Sequence, residues 1–220
     1  MKTTNEPMRI VALRRPSRRR DQIGVDSEFA APKLCAVYPS WSFYPRNLRP
    51  PEWAVAIVAA TTDVKAQIST FETPAGEDPR DTLSDAVLAH LRPGLHELGY
   101  QVETGKKQAE KIIKPVLFGN DGSVEVAYEI DAFHESLGIA VEVEAGRGAA
   151  NGADYRDIVR TSLLLDAANL ALLIPAVYRF TSGGRPQEKK AYESTRRQLD
   201  AIYASRRLRL PFDGVLLVGY

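Results

Sequence analysis

The spacing of hydrophobic positions changes several times along the chain, and each change indicates a new structural element. Helical spacing predicts a helix from Pro51 to about Thr70 and another from Asp81 or Thr82 to Gly99. Strand-like patterns follow over residues 100–103, in a hairpin of residues 112–118 and 124–132, and from Ile139 to Glu144. Beyond these, the pattern predicts a helix over 151–168, with helical spacing through Tyr155, Ile158, Val159 and Leu163, and a polar amphipathic helix within 185–206. Apolar strands are predicted over 170–175 and 214–218.

This order of elements predicts an α/β protein with a mixed β-sheet flanked by helices on both faces. Antiparallel hairpins followed by alternating helices and strands are typical of that arrangement. The first 50 residues differ, because they are rich in arginine, aromatic residues and X-Pro steps that discourage helix. We expect a partly mobile N-terminal extension over residues 1–50 and a single domain over residues 51–220.

Composition narrows the class of protein. The chain has 220 residues, of which 44% are hydrophobic, so it can bury a substantial core. Its formal net charge of +1 means that any attraction to an anionic partner must come from local patches. A single cysteine, Cys35, excludes an internal disulfide and suits a reducing cytoplasm. No segment approaches the roughly 18 apolar residues that span a membrane, so we expect a soluble cytoplasmic protein with no membrane partner.

Three acidic residues are the main candidates for chemistry. Side chains alternate along a strand, so Glu142 and Glu144 share one face while the valines beside them face the opposite layer. If residues 134–139 form a hairpin bend, Asp131 lies across from Glu142, with the paired side chains about 5 Å apart. Carboxylates this close repel one another unless a proton or a cation relieves the charge. The pattern therefore predicts a divalent metal site.

Other catalytic chemistries lack their residues in this sequence. His90 and His96 are six positions apart and His134 stands alone, so the histidines do not form a zinc ligand set. The chain contains no Gly-x-Ser-x-Gly element, no phosphate-binding P-loop and no Gly-x-Gly-x-x-Gly element. These absences argue against a serine hydrolase, a nucleoside triphosphatase and a dinucleotide-dependent enzyme.

With Asp131 ending one strand and Glu142-Val143-Glu144 on the next, the chain resembles the PD-(D/E)XK nuclease superfamily over roughly residues 81–175. The resemblance implies a restriction-endonuclease-like core and Mg²⁺-dependent hydrolysis of DNA phosphodiester bonds, with Mn²⁺ as a substitute ion. Asp131 and Glu142 match the two metal-binding acids. Most members have lysine where this chain has Glu144, and the Glu-x-Glu form is similar to that of a minority, including some type II restriction enzymes.

The departure at Glu144 leaves its role open. Glu144 could act as a general base, bind a second metal or accept a hydrogen bond from water. Alternatively, a lysine from the preceding strand and its loop could supply the missing charge: Lys106, Lys107, Lys111 or Lys114. Family members often add an acid from the first helix, for which the candidates are Asp85, Glu97 and Glu103. Asp85 is favoured because it lies near the start of that helix.

Nucleic-acid contacts are predicted at Lys106 and Lys107 and at Arg147, which lies between two glycines and could hold a phosphate. The resemblance implies a DNA endonuclease of a restriction or phage-defence type, acting as a homodimer or with a partner protein of a defence system. The alternative is a catalytically inactive nucleic-acid-binding or assembly module on the same fold.

Overall fold

The computed structural model describes residues 37–71, 84–145, 152–205 and 207–220. Within these ranges the helices are α1 (Glu52–Asp63), α2 (Lys65–Ile68), α3 (Ser84–Glu97), α4 (Ala153–Ser162) and α5 (Ala191–Ala204), with a 3₁₀ helix over Gln108–Glu110. The first five strands are β1 (Ser40–Tyr44), β2 (Gln101–Val102), β3 (Ile112–Phe118), β4 (Val124–Ile130) and β5 (Ala132–His134). They are followed by β6 (Ile139–Val143), β7 (Asn169–Ile174), β8 (Tyr178–Ser182), β9 (Arg185–Lys189) and β10 (Gly214–Gly219).

Six of the strands form one mixed sheet in the order β1-β10-β7-β6-β5-β2. Strands β6, β7 and β10 run parallel at its centre, and β1, β5 and β2 pair antiparallel with their neighbours. The central strands β7 and β10 are almost entirely apolar and buried, as expected where helices cover both faces. The prediction of an α/β protein with a mixed sheet is confirmed. A restriction-endonuclease-like core stays a prediction.

Each face of the sheet has its own hydrophobic core. Alternate residues of β6, including Val141 and Val143, pack with side chains from α1, α2 and α3. The β6 residues that point to the opposite face, such as Ala140, pack with Ile158 of α4 and Leu199 of α5. Glu142 is two positions after Ala140, so its side chain points to the same face of the sheet, which α4 and α5 cover.

Helix α3 follows its sequence pattern closely. The apolar side chains of Val87, Leu91 and Leu95, spaced four residues apart, form a stripe that is buried against the face that holds the β6 valines. Pro93 lies inside the helix, and Gly99 follows its end with a positive φ of 88°. Glycine is the residue that adopts this conformation at a helix end without steric strain.

The bend between β5 and β6 lies where the alternation predicts it. Residues 135–138 connect His134 to Ile139, and these two residues face each other in the ladder. Gly138 has a φ of 57°, and a Cβ there would lie 2.6 Å from the Asp166 carbonyl oxygen. A side chain at that position would push this loop away from the sheet. The tight turn therefore holds the β5–β6 register that orients the acidic residues.

Three sequence predictions are wrong in part. The helix predicted over 51–70 is divided at Val64 into α1 and α2. The helix predicted within 185–206 is confirmed as α5, and residues 185–189 before it form strand β9, which pairs with β8 in a separate hairpin. Residues 124–132 do not form one strand, because Asp131 breaks β4 from β5. The helix predicted over 151–168 is shorter, and its buried side is different. Tyr155, Val159 and Leu163 are exposed, whereas Asp154 and Asp157 are buried.

Some predictions concern residues outside the described ranges, namely Arg147, Cys35 and the N-terminal extension up to residue 36. The boundary proposed at residue 50 stays a prediction, and Ser40–Tyr44 already forms the edge strand β1. None of the helices in the described ranges is long and apolar enough to cross a lipid bilayer.

Candidate active site

Asp131 lies at the junction of two sheets. It separates β4, which pairs with β3, from β5, which pairs with β6. Ala132 faces Val141, so Asp131 comes one position further along the ladder, beside Glu142, as the alternation predicts. Its Oδ2 accepts a hydrogen bond of 2.7 Å from the Val143 backbone N–H. The carboxylate is thereby held against the end of β6.

Glu142 and Glu144 lie at the carboxyl end of β6, on the side of the sheet that faces α4. Glu144 is only 8% exposed. Its backbone N–H donates to the Leu173 carbonyl at 2.9 Å, and its own carbonyl accepts a hydrogen bond of 2.7 Å from the Tyr220 hydroxyl. The segment that holds both glutamates is therefore held to β7 and to the residue after β10. In open α/β sheets, ligands commonly bind at the carboxyl ends of the parallel strands.

Helix α4 adds a carboxylate and a cation that the sequence predictions did not assign to the site. Asp157 is 3% exposed and interacts electrostatically with both Glu142 and Glu144. Arg156 reaches both acids of this side: its Nη2 lies 3.1 Å from Glu144 Oε1 and its Nε lies 3.1 Å from Asp157 Oδ1. Residues three and four apart lie on one side of a helix, and this spacing relates Asp154, Asp157, Ile158 and Thr161. The spacing is the sequence signal for a buried side that contains acids.

Burial and mutual repulsion perturb these carboxyl groups. Burial is the largest influence on Asp131 and raises its pKa to about 7, although the Val143 N–H acts in the opposite direction. Burial and the neighbouring charge of Asp131 raise the pKa of Glu142 well above its usual range. For Glu144, burial and a hydrogen bond with Asp157 raise the pKa, while the Arg156 guanidinium lowers it. Acids with such shifts accumulate at functional sites.

The acids differ in how their charge is compensated. Arg156 forms an ion pair with Glu144, but no basic side chain of the described residues pairs with Asp131 or Glu142. Arg160 lowers the pKa of Glu142 by its charge, while its guanidinium lies over the Tyr128 ring at 5.0 Å from the ring centroid. Two adjacent carboxylates thus lack a direct counter-ion within the described part of the chain.

The acids predicted from the first helix fall in different places. Glu103 approaches Asp131 directly, because its backbone N–H donates to the Asp131 carbonyl at 2.8 Å. The charges of Glu103 and Asp85 both raise the pKa of Asp131, so these residues lie on the site side. Glu97 is exposed at the opposite end of α3. The structure therefore brings Glu103 and Asp85 toward the site and leaves Glu97 away from it.

Three of the four candidate lysines form ion pairs with other acids. Lys106 is exposed and its Nζ lies 3.0 Å from Asp85 Oδ2. Lys111 pairs with Glu129, and Lys114 pairs with Glu135 while lying 4.1 Å from the Phe133 ring centroid. Lys107 is exposed at the start of the 3₁₀ helix. None of these four described lysines forms an ion pair with Asp131, Glu142 or Glu144.

In the ranges that the structure describes, no three side chains of His, Cys, Asp or Glu converge closely enough to hold a metal ion. Asp131 and Glu142 are neighbouring carboxylates rather than part of a preformed cage. This arrangement suits Mg²⁺, which usually binds through one or two carboxylates and keeps several waters or substrate oxygens.

No protein-family model matches the chain, and a comparison with curated proteins found no match.

Proposed function

We propose that the protein is a metal-dependent nuclease that hydrolyses DNA phosphodiester bonds, with Asp131 and Glu142 as metal ligands. One observation carries the proposal: two partly buried carboxylates from adjoining strands lie on one side of the sheet without a cationic partner among the described residues. A charge arrangement of this kind is unfavourable unless a proton or an external cation compensates it.

The donor set fits Mg²⁺ or Mn²⁺. It contains carboxylate oxygens only, and one oxygen of Asp131 remains available because the Val143 N–H engages the other. A bound Mg²⁺ would polarise the phosphoryl group, lower the pKa of the attacking water and stabilise the leaving oxygen. Asp131 is positioned by the backbone of β6, so its carboxylate is oriented before any ion binds.

Arg156 supports the proposal from the other side of the site. Most members of the PD-(D/E)XK superfamily carry a lysine at the position of Glu144, and here Glu144 instead holds the Arg156 guanidinium at 3.1 Å. The Arg156 side chain is 60% exposed, and its Nη1 has no partner among the described residues. It can therefore contact a phosphate oxygen while its other two nitrogens remain held. Glu144 then serves to position this cation.

A nuclease assay on plasmid, linear duplex and single-stranded DNA with Mg²⁺, Mn²⁺ or Ca²⁺ tests the proposal. Glu142→Gln keeps the side-chain volume and removes the charge. We expect it to slow cleavage by at least about 100-fold, the upper end of the effect of removing an outer partner of a metal ligand. Glu125→Gln is the matched control, because Glu125 is exposed on β4 and should leave cleavage unchanged.

Calorimetric titration with Mg²⁺ provides a readout that does not depend on activity. We expect saturable binding that Asp131→Ala and Glu142→Gln each abolish. Undiminished Mg²⁺-dependent cleavage by Glu142→Gln would contradict the assignment. We further propose that the nuclease acts as a homodimer on duplex DNA, in restriction or phage defence with a partner protein.

The second candidate is a non-catalytic nucleic-acid-binding or assembly module on the same fold. The observation that favours it is the engagement of Glu144 by Arg156, since this ion pair neutralises an acid next to the two candidate ligands. In that case DNA binding should survive Glu142→Gln, the wild-type protein should show no saturable Mg²⁺ heat, and no substrate should be cleaved with any ion.

A further inference from the structure

The β8–β9 hairpin is a two-stranded ribbon outside the six-stranded sheet. Strand β8 begins four residues after the last residue of β7, so the hairpin leaves the sheet at the edge where the parallel strands β6, β7 and β10 end. Glu142 and Glu144 lie at the same edge, near the end of β6. The hairpin and these acidic residues therefore share one end of the sheet.

Tyr220 connects the base of the hairpin to the acidic segment. Its hydroxyl donates to the Glu144 carbonyl oxygen at 2.7 Å, and its own carbonyl oxygen accepts from the Ala176 N–H at 2.7 Å. After the second strand of the hairpin, the Tyr192 N–H donates to the Pro175 carbonyl oxygen at 3.2 Å. Both ends of the hairpin are thus fixed, and one buried side chain links its base to the β6 acids.

The alternation of side chains divides the ribbon into two faces. One of them, here called the aromatic–basic face, carries two aromatic, two basic and one amide side chain: Tyr178, Phe180, Arg185, Gln187 and Lys189. Tyr178 packs against the core on the α4–α5 side of the sheet, the side that Glu142 faces. On the opposite face, Arg179 Nη1 donates to the Thr70 carbonyl oxygen at 2.9 Å. The aromatic–basic face is therefore on the side of the acids.

The outer part of the ribbon is charged and exposed. Residues 178–190 contain four basic residues and one acidic residue, in a chain whose total formal charge is only +1. Residues 181–188 are all exposed, so they add little to the hydrophobic core. Arg185 forms no ion pair or side-chain hydrogen bond with the part of the chain that the structure describes. A local excess of positive charge attracts a polyanion.

The shape of the ribbon suits duplex DNA. Each strand has five residues and so spans roughly 16 Å. The major groove of B-form DNA, about 12 Å wide, admits a two-stranded ribbon, and arginine and glutamine are among the side chains that bind phosphates and base edges there. A-form RNA has a deep and narrow major groove that does not admit one. The Tyr178 and Phe180 rings stack at 5.3 Å, which supports the base of the ribbon.

We infer that the β8–β9 hairpin binds duplex DNA, lying in the major groove with Arg185 against a phosphate. The inference deepens the proposed function and rests on it for DNA as the substrate. The hairpin would hold the duplex at the carboxyl edge of the sheet, on the side where Asp131 and Glu142 can reach a phosphodiester bond.

Fluorescence anisotropy of a short labelled DNA duplex, titrated with the full-length protein in EDTA, measures binding without cleavage. Arg185→Ala should weaken binding on the order of fivefold and lower the salt-dependence slope by about 1, because one phosphate contact is lost. Arg209→Ala is the matched control, since Arg209 is equally exposed but precedes β10 at the amino edge of the sheet. It should change neither quantity. The wild type should bind duplex DNA about tenfold more tightly than duplex RNA of the same sequence.

Cleavage kinetics with Mg²⁺ separate this inference from the nuclease proposal. Arg185→Ala should raise KM by about the factor seen in binding and leave kcat within about twofold, because the hairpin positions the duplex and does not touch the reacting atoms. Glu142→Gln should lower kcat and still bind duplex DNA at least as tightly as the wild type. Binding that Arg185→Ala weakens, without cleavage by any variant, would contradict the nuclease proposal and support the hairpin inference.

Three results would overturn the inference. The first is an equal affinity and an equal salt-dependence slope for Arg185→Ala and the wild type, including the case in which neither binds DNA. The second is binding of duplex RNA as tight as that of duplex DNA, because the ribbon would then not lie in the major groove. The third is tighter binding of single-stranded than of duplex DNA, weakened by Arg185→Ala, which would assign the ribbon to a single strand.

Discussion

Helices α3 and α4 pack against opposite faces of one sheet, yet they bury different chemistry. The buried side of α3 consists of Val87, Leu88, Leu91 and Leu95. The buried side of α4 includes Asp154, Asp157 and Thr161 beside Ile158, while Tyr155 and Val159 of the same helix are exposed. Burying a carboxylate is unfavourable unless partners satisfy it. Burial on the α3 face therefore stabilises the fold. Burial of carboxylates on the α4 face lowers stability, and a functional site explains why they are there.

Local contacts show how α4 tolerates its acids. The Thr195 hydroxyl donates to Asp154 Oδ2 at 2.7 Å, which fixes α4 against α5. Asp157 receives the Arg156 Nε at 3.1 Å. Among the described residues, Asp131 receives only the Val143 backbone N–H, and the Glu142 carboxylate has neither a hydrogen-bond donor nor an ion-pair partner. The comparison of the two faces therefore singles out these two acids, rather than all buried acids, as candidates for an external cation.

The largest effect on stability is expected on the α3 face. Leu91 is 1% exposed, and Leu91→Ala should lower the free energy of unfolding by about 2–5 kcal/mol, since it removes buried methyl groups and leaves a cavity. Val159→Ala on α4 is the matched control, because Val159 is 56% exposed and its loss should change stability by less than about 0.5 kcal/mol. Urea unfolding measures both. Equal effects would show that the two faces do not differ as described.

An intermediate effect of opposite sign is expected at Asp131. Its folded-state pKa of about 7 lies above the ordinary aspartate value near 3.9, so between these values the folded state binds the proton more tightly than the unfolded chain. The stability contributed by Asp131 is greatest at low pH and is lost as the pH rises through about 7. Asp131→Asn removes this titration and keeps an acceptor for the Val143 N–H.

We therefore expect Asp131→Asn to stabilise the protein by roughly 1–2 kcal/mol at pH 8, because one pKa unit corresponds to about 1.4 kcal/mol and solvent screens part of the shift. The difference should shrink toward zero near pH 4. Urea unfolding at several pH values, with EDTA present to exclude metal ions, provides the measurement. The same variant should lose cleavage. A variant less stable than the wild type at pH 8 would indicate that the acid is held for structure.

The smallest effect is expected at Lys106. Its ion pair with Asp85 is exposed, so Lys106→Ala should not measurably change stability. If Lys106 contacts DNA, the variant should bind duplex DNA severalfold more weakly and lower the salt-dependence slope of binding by about 1. Arg207→Ala is the control, because Arg207 precedes β10 at the amino edge of the sheet, away from the acids. If Lys106→Ala and the wild type show the same salt-dependence slope, Lys106 does not contact DNA.

The sequence did not predict strand β9 or the buried side of α4, because both are formed by polar residues. Residues 185–189 are almost fully exposed, so strand β9 has no hydrophobic alternation to mark it. The Gly183-Gly184 pair, in which both φ angles are positive, was the available hairpin signal. In α4, the spacing of Tyr155 and Val159 suggested that their side of the helix is buried. The side with Asp154 and Asp157 faces the sheet instead, because partners for these acids lie there. The choice of buried side therefore depended on residues such as Thr195, distant in sequence.

The sequence by itself determined the elements whose patterns are local. Alternation in β6 placed Glu142 and Glu144 on one face, and the tight turn at Gly138 set Asp131 beside Glu142, because strand periodicity and turn geometry act over a few residues. Only the tertiary structure decided which acids have partners. Packing of α4 brought Arg156 to Glu144 and left Asp131 and Glu142 without a cation among the described residues. Charge compensation in a protein interior depends on distances between elements, and the one-dimensional pattern does not contain those distances.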